Sequence, residues 1–365
     1  MSEVPETQSE IVPPPIVLAP PYYAELVTTT NFSFLRGGSH PEELVAHAMA
    51  MGMTALGVCD RNSFAGVVRG YVTARDNKER SRGFRYLVGV RLVFADGTPD
   101  IIAYPTDRVA YGRLCKLLTI GNKRGEKGNP KLLLSDLFGA SAPVSDSEQG
   151  PIEDFSQGQL FILMPDETDW GLTEKTLDQL SRAAPGRVWV AGVPRFDGRD
   201  RARLNRVAAL GKRHGAAMLA SNDARYHRPD RSIVLDVVTC IREHLTLEEA
   251  GFHLAANAER CLKLPEEMAR LFAEHADAIA QTQVFIGRIG FCLSDLKYNY
   301  PEETIGNGET AQQTLERLTW EGAAKRYPGG VSDAINRSLW TELCLIAYKG
   351  YAAYFLTVHD IVAYA

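Results

Sequence analysis

The stretch from Tyr23 to Gly66, YAELVTTTNFSFLRGGSHPEELVAHAMAMGMTALGVCDRNSFAG, decides the fold. At its middle, Ser39-His40-Pro41-Glu42 has the form of a capping box. It opens a helix whose apolar face carries Leu44, Val45, Ala48 and Met49. Gly52 closes that helix. Thr54 to Cys59 is then a short apolar run ending in Asp60, the pattern of a buried strand that delivers a carboxylate at its C-terminal tip. A strand, a helix and a second strand make one βαβ unit.

Working outward, the same alternation continues to about Tyr226. Strand-like runs fall at Tyr86 to Val90, Asp100 to Tyr104, Gln159 to Met164, Arg187 to Val193 and Ala216 to Ala220, the last leading into Ser221-Asn222-Asp223. Helical patterns lie between them, at Val109 to Ile120 and Arg201 to His214. The expectation is an α/β fold with a mostly parallel sheet and helices outside it. Functional groups in such folds collect at the carboxyl ends of the strands, where Asp60 and Asp223 both stand. After Pro229 the texture becomes helical, over Arg231 to Cys240, Pro265 to Gln283, Thr310 to Tyr327 and Ser332 to Lys349.

The bulk numbers narrow the classes. With 365 residues, 45% hydrophobic and 23% charged, the chain can bury one or two substantial cores. A net charge of −5 supplies no global cationic field for nucleic acid, so any DNA contact must be local. The six cysteines form no CxxC pair, which argues against a zinc or disulfide framework and fits a reducing cytoplasm. No apolar run reaches the ~18 residues that a membrane span needs. Residues 1–21 hold a proline-rich, polar sequence that predicts a flexible tail.

These motifs resemble the polymerase-and-histidinol-phosphatase (PHP) domain that begins the bacterial DnaE-type replicative polymerases, above all their error-prone, ImuC-like branch. The resemblance implies a distorted (β/α)7 barrel over residues 22–245, followed over 246–365 by a mainly helical linker and a truncated start of the polymerase palm. In the family's metal-binding form, histidines and carboxylates converge from several strand ends. Here the corresponding positions are Val27, Thr29, Arg36, Asp60, Arg61, Arg91, Asp100, Asp223 and Arg225. They fall in Cys59-Asp60-Arg61, Gly89-Val90-Arg91 and Asn222-Asp223-Ala224-Arg225, and only the three aspartates remain as ligand types. An arginine keeps its proton and repels a cation. The expectation is therefore no metal in this chain, with arginine–aspartate pairs holding the strand ends together.

The resemblance continues through Tyr298 to Glu303, Tyr327 to Val331 and Tyr354 to Val362. In the family, a phosphate-binding stretch and the palm carboxylates that hold Mg2+ lie beyond the point matching Ala365. The chain alone is then expected to be inactive, a scaffold in a polymerase that carries out DNA-directed synthesis, translesion synthesis included. Implied partners are primer-template DNA, the sliding clamp and mutasome subunits, in the cytoplasm and away from membranes. A metal-dependent PHP phosphoesterase or proofreading nuclease is one alternative, and a standalone binding module is another. Separately, Lys123, Arg124 and Lys127, in the glycine-rich and basic stretch GNKRGEKGNP, could touch phosphates, with a solvated loop as the plain reading.

Overall fold

The structure, a computed structural model, describes residues 16–17, 20–79, 81–139, 153–296 and 308–365. The proline-rich tail and the Tyr298 to Glu303 motif lie largely or wholly outside the described residues. The chain divides into two compact units, Met1–Leu296 and Lys297–Ala365. The boundary expected after residue 245 falls inside the first of them.

Seven strands build the main sheet of the first unit: β1 (Ala24–Thr28), β2 (Ala55–Arg61), β3 (Arg85–Leu92), β4 (Ile101–Pro105), β5 (Gln159–Leu163), β6 (Val188–Gly192) and β7 (Ala217–Ala220). They neighbour one another in chain order. A parallel bridge from Thr28 to Ala224, with the Thr29 N–H donating to the Ala224 carbonyl at 2.9 Å, brings the two sheet edges together into a nearly closed barrel. The sheet is mostly parallel, as expected, but mixed, because β4 runs antiparallel to both β3 and β5. Its cause is the connection 93–100, which is shorter than the roughly dozen residues of a parallel crossover and can only reverse the chain.

Alternation along the strands separates the inside from the outside. Leu26, Cys59, Leu87, Tyr104, Ile162, Trp189 and Leu219, one from each strand, belong to a single buried cluster that fills the barrel. Tyr104 is the centrepiece. Its hydroxyl donates to the Leu26 carbonyl at 2.7 Å and receives the Cys59 thiol at 3.0 Å, while its ring lies against Gly57 and Gly89.

Helices cover the outside. Leu114, Leu117 and Leu118 of α1 (Arg108–Arg124) pack on the outward residues of β3 to β5, and Leu44, Val45 and Ala48 of the helix Pro41–Ala50 pack near Leu56 of β2. That last helix starts one residue later than the expected capping box. Pro41 takes the first helical position, where its missing N–H costs nothing. His40 is therefore the cap, and its N–H donates to Glu43 at 2.8 Å. The expected helix over Pro265 to Gln283 is two helices, Pro265–Leu271 and Ala276–Gly287, because the chain turns at Phe272, which is fully buried. Phe285 and Ile289 of this segment join the barrel's interior cluster.

The second unit, described from residue 308, holds the helices Ala311–Arg326, Asp333–Lys349 and Ala352–Tyr364 around Leu315, Leu343, Ala352 and Leu356. Thr310 and Ser332 cap the first two, each accepting from the N–H three residues on. Among the described residues no helix is long and apolar enough to cross a membrane.

Candidate functional site

The strand ends gather the charged positions at one mouth of the barrel. Register sets Asp60 beside Val90 and Arg61 beside Arg91 on the parallel pair β2 and β3. Because β4 runs the other way, it is its beginning, preceded by Asp100, that reaches the same mouth. After β7 the chain passes through Ser221 to Arg225 and bridges back to Thr28.

Arg91 is the hub. It is 9% exposed, and its guanidinium donates to Asp100 Oδ2 at 3.2 Å and contacts Asp223 Oδ1. Asp223, 3% exposed and in the left-handed region at φ +47°, also contacts Arg260 and lies 3.9 Å from Arg195. Its own N–H donates to Ser221 Oγ at 2.9 Å, which fixes the turn. Asp60 is different. It is fully buried but has no arginine partner among the described residues, and its carboxylate accepts from Thr30 N at 2.9 Å, Thr30 Oγ1 at 2.8 Å and Ser33 Oγ at 2.7 Å. Burial pushes its pKa up, and the Ser33 and Thr30 bonds pull against that shift. Arginine–aspartate pairing thus joins Asp100 and Asp223 through Arg91, while hydroxyl groups hold Asp60.

Val27 and Thr29 are buried in the first strand and just beyond it, and offer no imidazole. Arg36, Arg61 and Arg225 have no ion pair or side-chain hydrogen bond among the described residues. Burial lowers the pKa of each, and neighbouring arginines lower it further; Arg225 is brought to about 10. Four arginine guanidiniums among the matched positions, one aspartate saturated by hydroxyls and two aspartates bound to Arg91 are a poor donor set for a divalent cation. Among the described residues no cluster of three or more His, Cys, Asp or Glu side chains is arranged to hold one.

Sequence reading overlooked part of this network. Glu25, 1% exposed, accepts from Tyr23 Oη at 2.8 Å, Val27 N at 2.9 Å, Ser221 Oγ at 2.7 Å and Asn222 N at 2.8 Å, so it pins the last strand to the first. A glutamate inside the apolar run AELVT was the available signal. Arg195, Arg242 and Arg260 come from segments without a motif. Arg242 donates to the Leu35 carbonyl at 2.8 Å, next to Arg36.

The basic stretch lies elsewhere, at the C-terminal end of α1. Lys123 and Lys127 are exposed, with no ion pair among the described residues. Arg124 is committed to the fold, forking onto the buried Asp136 at 2.6 and 2.8 Å and donating to the Lys131 carbonyl at 3.1 Å. Arg124→Ala is expected to cost about 1–2 kcal/mol, a value reduced for its partial exposure. A urea midpoint unchanged by the substitution would show that the fork contributes nothing.

Residues 25–153 match the PHP domain, and residues 313–365 match the bacterial DNA polymerase III alpha NTPase domain. An error-prone DNA polymerase of Rhodopseudomonas palustris (strain BisB5) is 47% identical over 94% of this chain, and one of Caulobacter vibrioides is 46% identical over 94%. The chain spans about 30% of the length of each. Among solved structures, an amidohydrolase from Chromobacterium violaceum aligns with 68% of this chain and 96% of its own, at 14% identity and a TM-score of 0.38.

Proposed function

We propose that this chain carries the PHP domain and the beginning of the polymerase segment of an error-prone DnaE-type DNA polymerase, and that its barrel is a metal-free scaffold for template-directed DNA synthesis. In that role the complete polymerase adds deoxynucleotides past lesions during repair synthesis, on primer-template DNA, in the cytoplasm. Its sliding clamp and the mutasome subunits are the partners, and Mg2+ serves the polymerase carboxylates rather than the barrel.

One observation carries the scaffold reading. Arg91 occupies the barrel mouth and bridges Asp100 and Asp223, putting a permanent cation where a metal ion would have to sit. The second unit supports association with further polymerase structure, since Trp340, Tyr348, Tyr351, Tyr354, Ile361 and Val362 are exposed on its helices.

The purified protein, dialysed against Mn2+ or Zn2+ and desalted, is expected to retain far less than one equivalent of metal and to leave a generic phosphodiester intact. Stoichiometric metal with turnover would overturn the scaffold assignment. Primer extension across a template lesion by the protein that contains this chain together with the palm tests the synthetic role, which fails if no nucleotide is added.

A further inference from the structure

The helix Ser232–Glu243 packs on the first unit with its less apolar side. Leu235, Thr239 and Cys240 are its buried residues, and Leu235 clusters with Tyr226 and Cys261. Ile233, Val237 and Ile241 face solvent instead, at 64%, 42% and 55% exposure. Spaced four residues apart, they form one stripe along the helix, with Val234 and Val238 half-buried at its margin. Helix formation does not ask for β-branched side chains at these positions, since Ala, Lys and Glu all favour a solvated helix more. An aliphatic stripe in water costs free energy until something apolar covers it. Such a stripe offers neither hydrogen-bond donors to phosphates nor aromatic faces to bases, so its cover is a polypeptide rather than nucleic acid.

The stripe is symmetric about Val237. When a second copy lies antiparallel across it, Ile233 of each copy meets Ile241 of the other and Val237 meets Val237, as an isologous two-fold contact requires. The charges at the two ends fit the same pairing. Reflection about Val237 sets Glu243 of one copy against Arg231 of the other, and Asp230 against His244; like charges do not face each other. Asp230, Glu243 and His244 are exposed, and Arg231 is half-buried beside Glu43 at 3.2 Å. Antiparallel helix dipoles add to the attraction. We propose that the helix Ser232–Glu243 is a self-association surface, pairing with the same helix of a second copy about a two-fold axis at Val237. One helix pair buries less than a standard interface, so the dimer is weak, with a Kd of about 10–100 µM. The inference uses the first unit alone and stands apart from the polymerase reading, so a failure of primer extension would leave it untouched.

Sedimentation equilibrium of the purified chain from about 1 to about 200 µM tests the pairing, with a shift from monomer to dimer mass expected over that range. Val237→Glu, which places two carboxylates face to face on the axis, should raise the Kd at least about tenfold. Val237 lies outside the buried core, so the variant is expected to fold, and Ile241→Lys serves as a second substitution. Crosslinking reads the register. With the exposed Cys344 changed to serine, Val237→Cys should be joined to its copy by a short bis-maleimide. Ile233→Cys alone should not, because the two copies of that residue lie about 12 Å apart along the helix axis, whereas a mixture of Ile233→Cys and Ile241→Cys protomers should. A monomer at every concentration overturns the proposal and assigns the stripe to a different polypeptide. Association that survives Val237→Glu but is abolished by Ile361→Glu in the second unit overturns it as well.

Discussion

Replacing Arg91 by leucine is expected to lower the unfolding free energy of the barrel by about 3–5 kcal/mol, the cost of leaving one side of a buried ion pair without its partner. Arg91 and Asp223 retain 10% and 4% side-chain exposure, so water cannot take over the lost contacts. Asp223 would keep Arg260, and Asp100 would keep only solvent on its more open side. Arg91→Lys should recover only part of the loss, because one ammonium cannot fork between two carboxylates as a planar guanidinium does. Urea unfolding followed by circular dichroism measures both variants. A leucine variant as stable as the parent would mean that Arg260 alone satisfies the site.

The second large effect lies below the mouth. A Cβ added at Gly57 would sit 1.7 Å from the Tyr104 hydroxyl oxygen and 2.7 Å from Cζ. Tyr104 has nowhere to go: it is fully buried, and its hydroxyl is tied to the Leu26 carbonyl at 2.7 Å. Gly57→Ala is therefore expected to destabilise by about 3 kcal/mol, the upper part of the usual range for overpacking. Tyr104→Phe alone should cost about 1 kcal/mol for its hydrogen bond. Removing the hydroxyl also makes room, so the double variant should be less destabilised than the two single effects added together. Strict additivity would show that the clash is relieved elsewhere.

Much of the scaffold was legible in the chain. The runs at Thr54 to Cys59 and Gln159 to Met164 are short, apolar and bounded by polar turns, and they became β2 and β5 almost to the residue. The reversed strand after Asp100 was not read, although the brevity of the connection 93–100 was open to inspection. Strand character shows in hydrophobic pattern, whereas direction shows only in the length of what joins two strands. Phe272 hid a break inside one helical pattern for a similar reason, since a buried aromatic satisfies the pattern whether or not the backbone continues.

At the site, the strand-end positions Asp60, Arg91, Asp100 and Asp223 could be placed because Asp60, Arg91 and Asp223 each follow an apolar run and Asp100 immediately precedes one. The pairing could not. Arg260 meets Asp223 from 37 residues away, and Thr30 and Ser33 reach Asp60 from the turn after the first strand, 30 and 27 residues away. Partners at that separation are chosen by the closed barrel, and no local pattern encodes them. Glu25 shows the converse, a conspicuous residue whose acceptor role becomes visible only once Ser221 and Asn222 are beside it.

The reversed strand also bears on the order of assembly. Arg91 and Asp100 are nine positions apart across a short hairpin, whereas Asp223 is 132 positions from Arg91. Loop-closure entropy favours the near partner first, so the hairpin supplies a temporary counter-ion while the chain is still unfinished. When the last strand arrives it meets a guanidinium already oriented, and circularisation of the sheet ends with an electrostatic latch instead of a search.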